Sequence, residues 1–190
     1  FRPGLVQFEI GVQSTNPDTL KAIRRTADWD LLQKNVARIH ARGNIHQHLD
    51  LIAGLPYEDF NTFKKSFCDV YAMKPDQFQL GFLKVLDGSF MNEKRNDYEI
   101  QASSLPPYEI FSVLQTKWLS YEDVLSLKGV EEMVEVYYNS FQFAASMIYL
   151  ERLFKDAYCL YEELAKEYEE KHLFERKINR RERYEVLYAF

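Results

Sequence analysis

Three short stretches of alternating polarity, residues 5–13, 46–53 and 76–83, are separated by stretches of helical spacing, and that order leaves few folds open. In the first, Val6, Phe8, Ile10 and Val12 share one side, opposite Gln7, Glu9, Gly11 and Gln13. In the second, His48, Asp50 and Ile52 oppose Leu49, Leu51 and Ala53. In the third, Phe78, Leu80 and Phe82 oppose Gln77, Gln79 and Gly81. Period two marks a strand. Between the first two strands, Asn16-Pro17 starts a helix with Leu20 and Ile23 inward. Asp28 caps a second helix carrying Leu32, Val36 and Ile39, and Gly43 suits its end. Asp59 caps the helix before the third strand, whose stripe is Phe60, Phe63, Phe67 and Val70, and Lys74-Pro75 stops it.

Strands separated by helices make βαβ units, so the strands run parallel with right-handed crossovers. Ordinary parallel strands are apolar on both faces. Here one side of each strand carries Gln, Glu, His, Asp or Gly. The fold class read from this is α/β: a partial parallel βα barrel of three units with a wet inner face, over residues 1–90. The competing reading is a sheet with one face open to solvent.

After Leu86-Asp87-Gly88 the pattern changes to a mainly helical extension over 91–190, with a β-hairpin near 97–113 turning at Pro106-Pro107. Ser120 and Asp123 have capping-box spacing, and the pattern from Val130 to Glu170 is almost continuously helical. Residues 104–174 hold 13 acidic and 6 basic side chains. The basic residues Arg176, Lys177, Arg180, Arg181 and Arg183 alternate with Glu175, Glu182 and Glu185, which suits a solvated helix face rather than a nucleic-acid patch. With 14 Phe, 13 Tyr, 46% hydrophobic residues and net charge −5, the chain can bury a real core, and nothing in it demands nucleic acid or a membrane surface. No apolar run approaches the roughly 20 residues of a membrane span. A cytoplasmic protein is expected, and Cys68 and Cys159 read as structural thiols. The chain opens at Phe1-Arg2-Pro3-Gly4 without Met and reads as cut from a longer protein.

The stretch Asp50-Leu51-Ile52-Ala53-Gly54-Leu55-Pro56 is a buried strand running into a tight turn before a helix. Ligands of α/β folds sit at such strand ends. A carboxylate in an apolar strand is costly unless paired, so Asp50 is either satisfied by its neighbours or faces a ligand.

Three segments in this order resemble radical S-adenosylmethionine enzymes: Gly11-Val12-Gln13-Ser14, Asp50 to Pro56, and Gln79 to Leu83 leading to Gly88-Ser89. They span about residues 5–90. Pro107-Tyr108-Glu109-Ile110, Trp118-Leu119-Ser120 and Tyr137-Tyr138-Asn139-Ser140 with Phe143 resemble the helical extension of members that carry a cobalamin-binding domain. Such members are commonly named after the anaerobic magnesium-protoporphyrin monomethyl ester oxidative cyclase. The resemblance implies the C-terminal half of an oxidoreductase that uses S-adenosylmethionine and a 4Fe–4S cluster, with cobalamin in the parent as a further expectation. It implies that Gln13 approaches the methionine end of S-adenosylmethionine, that Arg25 contacts its carboxylate, that Asp50 binds the ribose hydroxyls, and that Ile52 packs on adenine. Arg24 is a neighbour able to exchange roles with Arg25. The family's CxxxCxxC motif is absent, so the implied fragment supplies part of a cofactor pocket, is inactive alone, and has its cluster motif upstream of Phe1.

Glu9, His48 and Gln79 lie on the implied inner face as candidate substrate-facing residues, and Glu9 serves equally well as a structural hydrogen-bond partner. His46 and His48 share a strand face but lack a third ligand, so no metal site is expected. His40 and His172 have no evident partners, and Tyr137, Tyr138 and Phe143 read as core. The expected partners are a small-molecule substrate and a second copy of the chain through the edge of the first strand. The competing functional reading is a non-catalytic interaction module derived from a βα barrel, its acidic helices binding a partner protein.

Overall fold

All three alternating stretches are strands in the computed structural model, which describes residues 1–104 and 110–190. They are β1 (Val6–Gln13), β2 (Ile45–Ala53) and β3 (Gln77–Phe82), parallel throughout and ordered β1-β2-β3. The helices between them are α1 (Pro17–Ala22), α2 (Trp29–His40) and α3 (Phe60–Tyr71). Each starts at the expected cap. Asn16 Oδ1 accepts from the Asp18 amide at 3.2 Å, Asp28 Oδ1 from Leu31 at 2.9 Å and Asp59 Oδ1 from Thr62 at 2.8 Å. The Thr62 backbone and hydroxyl donors hold the Asp59 carboxyl below its ordinary value.

Alternation sorts the sheet into two faces. Leu49, Leu51, Phe78 and Leu80 are buried, as are Val36 of α2 and Phe63, Phe67 and Val70 of α3. The rings of Phe67, Tyr71 and Phe78 lie 5.0–6.4 Å apart. In α1 the structure differs from the expected inward pair: Thr19 is wholly buried, while Leu20 and Ile23 are half-buried. The helix has only six residues, and Asn16 Nδ2 donates to Thr19 Oγ1 at 3.0 Å, which fixes the turn it presents.

The opposite face carries the polar side chains in register. Glu9 pairs with His48 and His48 with Gln77; Gly11 pairs with Asp50 and Asp50 with Gln79. Glu9 and Gln79 are exposed. A mixed α/β unit with a parallel sheet, one face packed and one polar, is therefore observed.

Beyond β3 come the short helix α4 (Phe90–Glu93) and an antiparallel pair, β4 (Gln101–Ala102) and β5 (Val113–Gln115). The Pro106-Pro107 turn and the Pro107-Tyr108-Glu109 segment lie outside the described residues. The chain divides into two compact units, Phe1–Leu127 and Lys128–Phe190.

Helix α5 (Tyr121–Val134) opens with a reciprocal capping box: Ser120 Oγ accepts from the Asp123 amide at 3.1 Å and Asp123 Oδ2 from the Ser120 amide at 2.9 Å. The helical pattern beyond Val130 is not continuous. A π-helical turn spans Glu135–Asn139, followed by α6 (Ala144–Leu150), α7 (Ala157–Glu170) and α8 (Arg180–Ala189). The breaks fall where Phe141 takes a φ of 56° and where Asp156 caps α7 through the Cys159 amide at 2.8 Å. In the C-terminal unit Tyr137, Phe143, Tyr158, Tyr161 and Tyr168 are all buried. Tyr137 and Tyr168 join hydroxyls at 2.7 Å, and burial pushes the Tyr137 phenol up, with the Tyr168 bond adding to it. Gly129 brings two helices together, since a Cβ there would lie 3.2 Å from Ala165 Cβ. Among the described residues no helix is long and apolar enough to cross a membrane.

Candidate functional site

The carboxyl ends of β1, β2 and β3 bring the polar-face residues together around two glycines. Asp50 is half-buried in mid-sheet, and Gln13 Nε2 donates to its Oδ2 at 3.1 Å. That contact needs a local distortion. The β1–β2 register slips between Gly11 and Gln13, and Gln13 takes a φ of 69°, which turns its side chain back toward Asp50. Arg25 Nη2 donates to the Gly11 carbonyl at 3.1 Å. A Cβ at position 11 would lie 2.6 Å from Gln13 Nε2 and 3.4 Å from the Arg25 guanidinium, so a side chain there would push the Gln13 amide aside. Gln13, Arg25 and Asp50 thus converge on Gly11. Gly81, the register partner of Ile52, leaves the other side of the face low.

Arg24 does not share this place: its guanidinium stacks on Phe90 at 4.6 Å from the ring centroid. A cleft of about 520 Å³ runs beside Gly11, Ser14, Arg24 and Arg25 to Trp29 and Leu32. Asp50 and Ile52 lie on the sheet face outside that cleft. Glu9 and His48 form a pair, with His48 Nδ1 2.7 Å from Glu9 Oε2, and Gln7 Nε2 donates to Glu9 Oε1 at 2.5 Å. His172, expected to stand alone, has Nδ1 3.1 Å from Glu175 Oε1.

Beneath these residues lies a buried network that the sequence reading missed. Glu58, two residues past Pro56, is wholly buried. Its Oε1 accepts from Ser14 Oγ at 2.6 Å and Ser66 Oγ at 2.8 Å. Ser66 Oγ also accepts from the Thr15 amide at 3.2 Å, and Thr15 Oγ1 donates to Asp69 at 2.8 Å. Glu58 Oε2 has no partner among the described residues. Burial pushes the Glu58 carboxyl up to about 7, against the lowering effect of the two serine bonds. The network ties the end of β1, where Gln13 sits, to the turn after β2. Its only local signal is an acidic residue next to the helix cap. A second feature is the contact of Tyr57, Tyr98 and Trp118, with centroids 4.9–6.3 Å apart at the same turn.

Chemically, the polar face offers a carboxylate that can accept from vicinal hydroxyls and a forked cation for a carboxylate. That set fits part of a nucleoside carrying an amino-acid tail. It does not fit an iron–sulfur cluster. Cys68 lies on α3 and Cys159 on α7, and among the described residues no three His, Cys, Asp or Glu side chains gather as metal ligands.

A family model described as "Protein of unknown function (DUF4080)" matches residues 96–190. The chain is 31% identical over 77 residues to the oxygen-independent coproporphyrinogen III oxidase of Paracoccus denitrificans (strain Pd 1222), covering 40% of this chain and 17% of that protein. It is 29% identical over 96 residues to the oxygen-independent coproporphyrinogen-III oxidase-like protein HemZ of Bacillus subtilis (strain 168), covering 50% and 19%. The chain thus spans under a fifth of the length of these curated relatives. Among solved structures, Escherichia coli coproporphyrinogen III oxidase (HemN), described as a radical SAM enzyme, superposes with a TM-score of 0.48 at 18% identity, covering 66% of this chain and 26% of that one.

Proposed function

We propose that this chain, which belongs to the DUF4080 family, carries part of the S-adenosylmethionine pocket of a radical oxidoreductase, on a partial βα barrel followed by a helical extension. The observation that carries the reading is the convergence of Gln13, Arg25 and Asp50 on Gly11 at the strand ends. The similarity to a coproporphyrinogen III oxidase and to a coproporphyrinogen-III oxidase-like protein supports it. Asp50 accepts from the ribose hydroxyls, Arg25 turns from the Gly11 carbonyl to the methionine carboxylate, Gln13 meets the methionine end, and Ile52 packs on adenine. Held by these residues, S-adenosylmethionine would supply radical chemistry together with an iron–sulfur cluster. The ligands for that cluster are not offered by Cys68 and Cys159, so this chain's part is to bind and orient the cofactor. Nothing in the named relatives points to cobalamin or to the oxidative cyclase. β1 has β2 on one side, and its other edge is where we place a neighbouring strand or a second copy of the chain.

The test uses S-adenosylhomocysteine, which shares the nucleoside and amino-acid groups, in an NMR titration that tolerates weak binding. The amides of Gly11, Asp50 and Gly81 are expected to shift together. A hydrogen bond to a charged group contributes about 1.5–3 kcal/mol, so Asp50→Ala should weaken the response roughly 10- to 150-fold. The melting temperature should barely change, because the carboxylate is half-buried and, among the described residues, bonded through Gln13 alone. An unaltered titration, or a collapse in melting temperature with normal binding by the folded remainder, rejects the assignment.

A further inference from the structure

We infer that His48, oriented by Glu9, is a substrate subsite that takes a hydrogen-bond donor, an ammonium, amide or hydroxyl group, and discriminates against polycarboxylates. The inference rests on the cofactor reading for its place beside Asp50. Three observations carry it. First, the Glu9–His48–Gln77 row lies next to the Gly11–Asp50–Gln79 row on the same face, about 7 Å along the strands at two residues of rise. Second, the Glu9 carboxylate accepts from Nδ1–H at 2.7 Å, so the neutral ring keeps its lone pair on Nε2. His48 is nine-tenths buried, and Nε2 has no hydrogen-bond partner among the described residues. A buried acceptor left unpaired is costly, and a ligand donor would satisfy it. Third, the polar face holds Gln7, Glu9, His46, His48, Asp50, Gln77 and Gln79 and, along β1–β3, no Lys or Arg. At the His48 row a ligand rich in carboxylates would meet Glu9 as a like charge, whereas a donor finds the His48 and Glu9 acceptors; the Arg25 guanidinium lies at the Gly11 row instead.

The experiment reads the His48 ring directly. The 15N-labelled chain is titrated at pH 8 with 1,5-diaminopentane, whose length matches the row spacing, and separately with tricarballylate. The diamine is expected to shift the Nε2 resonance and to saturate at a concentration at least tenfold below any tricarballylate response. Glu9→Gln, at a side chain that is 67% exposed, should mix the two ring tautomers and weaken the diamine response about tenfold. His48→Phe should abolish the response at neighbouring amides. Glu9→Gln keeps the test decisive if the buried variant fails to fold. Equal or tighter binding of tricarballylate, or a diamine response unchanged in Glu9→Gln, overturns the inference. A failed S-adenosylhomocysteine titration with the diamine response intact would sink the cofactor reading and leave the His48 subsite standing.

Discussion

Glu58→Gln should abolish a stability loss that the native chain suffers between about pH 4.5 and pH 7. Burial raises the Glu58 carboxyl from 4.5 to about 7. A carboxyl whose folded value lies above its unfolded value binds its proton more tightly when folded. Its contribution to stability is therefore fully present below pH 4.5 and is lost as pH rises through 7. At about 1.36 kcal/mol per unit, the loss is about 3 kcal/mol, or about 6–12 °C in melting temperature for a chain of this size. The amide of Gln keeps an acceptor for Ser14 and Ser66 and carries no charge to strand in the interior. The measurement is chemical unfolding of both proteins from pH 4.5 to 8.5. The variant should match the native chain at the acid end and exceed it at pH 8. Other titrations cancel in the difference between the two proteins. Parallel curves, or a variant weaker at pH 8, would show that Glu58 is already neutralised by some other route. The same ionisation acts on Ser14, which follows Gln13, so the pH dependence of stability should be accompanied by amide shifts at the end of β1.

Gly54→Ala carries the other large expected effect, from two separable causes. Gly54 closes the strand at a φ of +90°, outside the region an L-residue adopts readily. A Cβ there would also lie 2.8 Å from Val113 Cγ1. Backbone strain costs about 1–3 kcal/mol and overpacking a similar amount, so the substitution should destabilise the chain by about 2–6 kcal/mol. The double variant with Val113→Ala separates the two. Removing the valine methyls relieves the clash and leaves the strain, so the effect of Gly54→Ala should shrink by about 1–3 kcal/mol in that background. Urea unfolding of the four proteins in the cycle measures this coupling. Strict additivity would mean that β5 yields without cost and that the glycine is required for its backbone alone.

The two positions differ in how visible they are before folding. Gly54 stands in a strand-turn segment whose composition already marks a turn, and only its neighbour Val113 is new. Glu58 gives almost no sign of itself, because its partners Ser14 and Ser66 come from a strand end and a helix on either side of it. Gln13 and Asp50 were each legible as polar residues on alternating strands. Their mutual bond depends on the slip at Gly11, which no periodicity encodes. The pairing of His172 with Glu175 spans only three residues and was open to a reading of local spacing, as was the cap of α8, where Asn179 and Glu182 form a reciprocal box.

The amino-acid sequence by itself determined the three strands, the helices between them, their caps at Asn16, Asp28, Asp59 and Ser120, and the polar character of one sheet face. These follow from interactions within a few residues, namely the period of side chains along a strand or helix and the reach of a short polar side chain to a free amide. Only the tertiary structure decided that Glu58 is buried and half-neutral near pH 7, that Gln13 and Arg25 close over Gly11, that His48 leans on Glu9, and that the helical pattern after Val130 breaks at Phe141 and before Asp156. Each depends on burial or on a contact made across the fold. Desolvation and side-chain packing are set by what the rest of the chain brings alongside, which no local pattern contains.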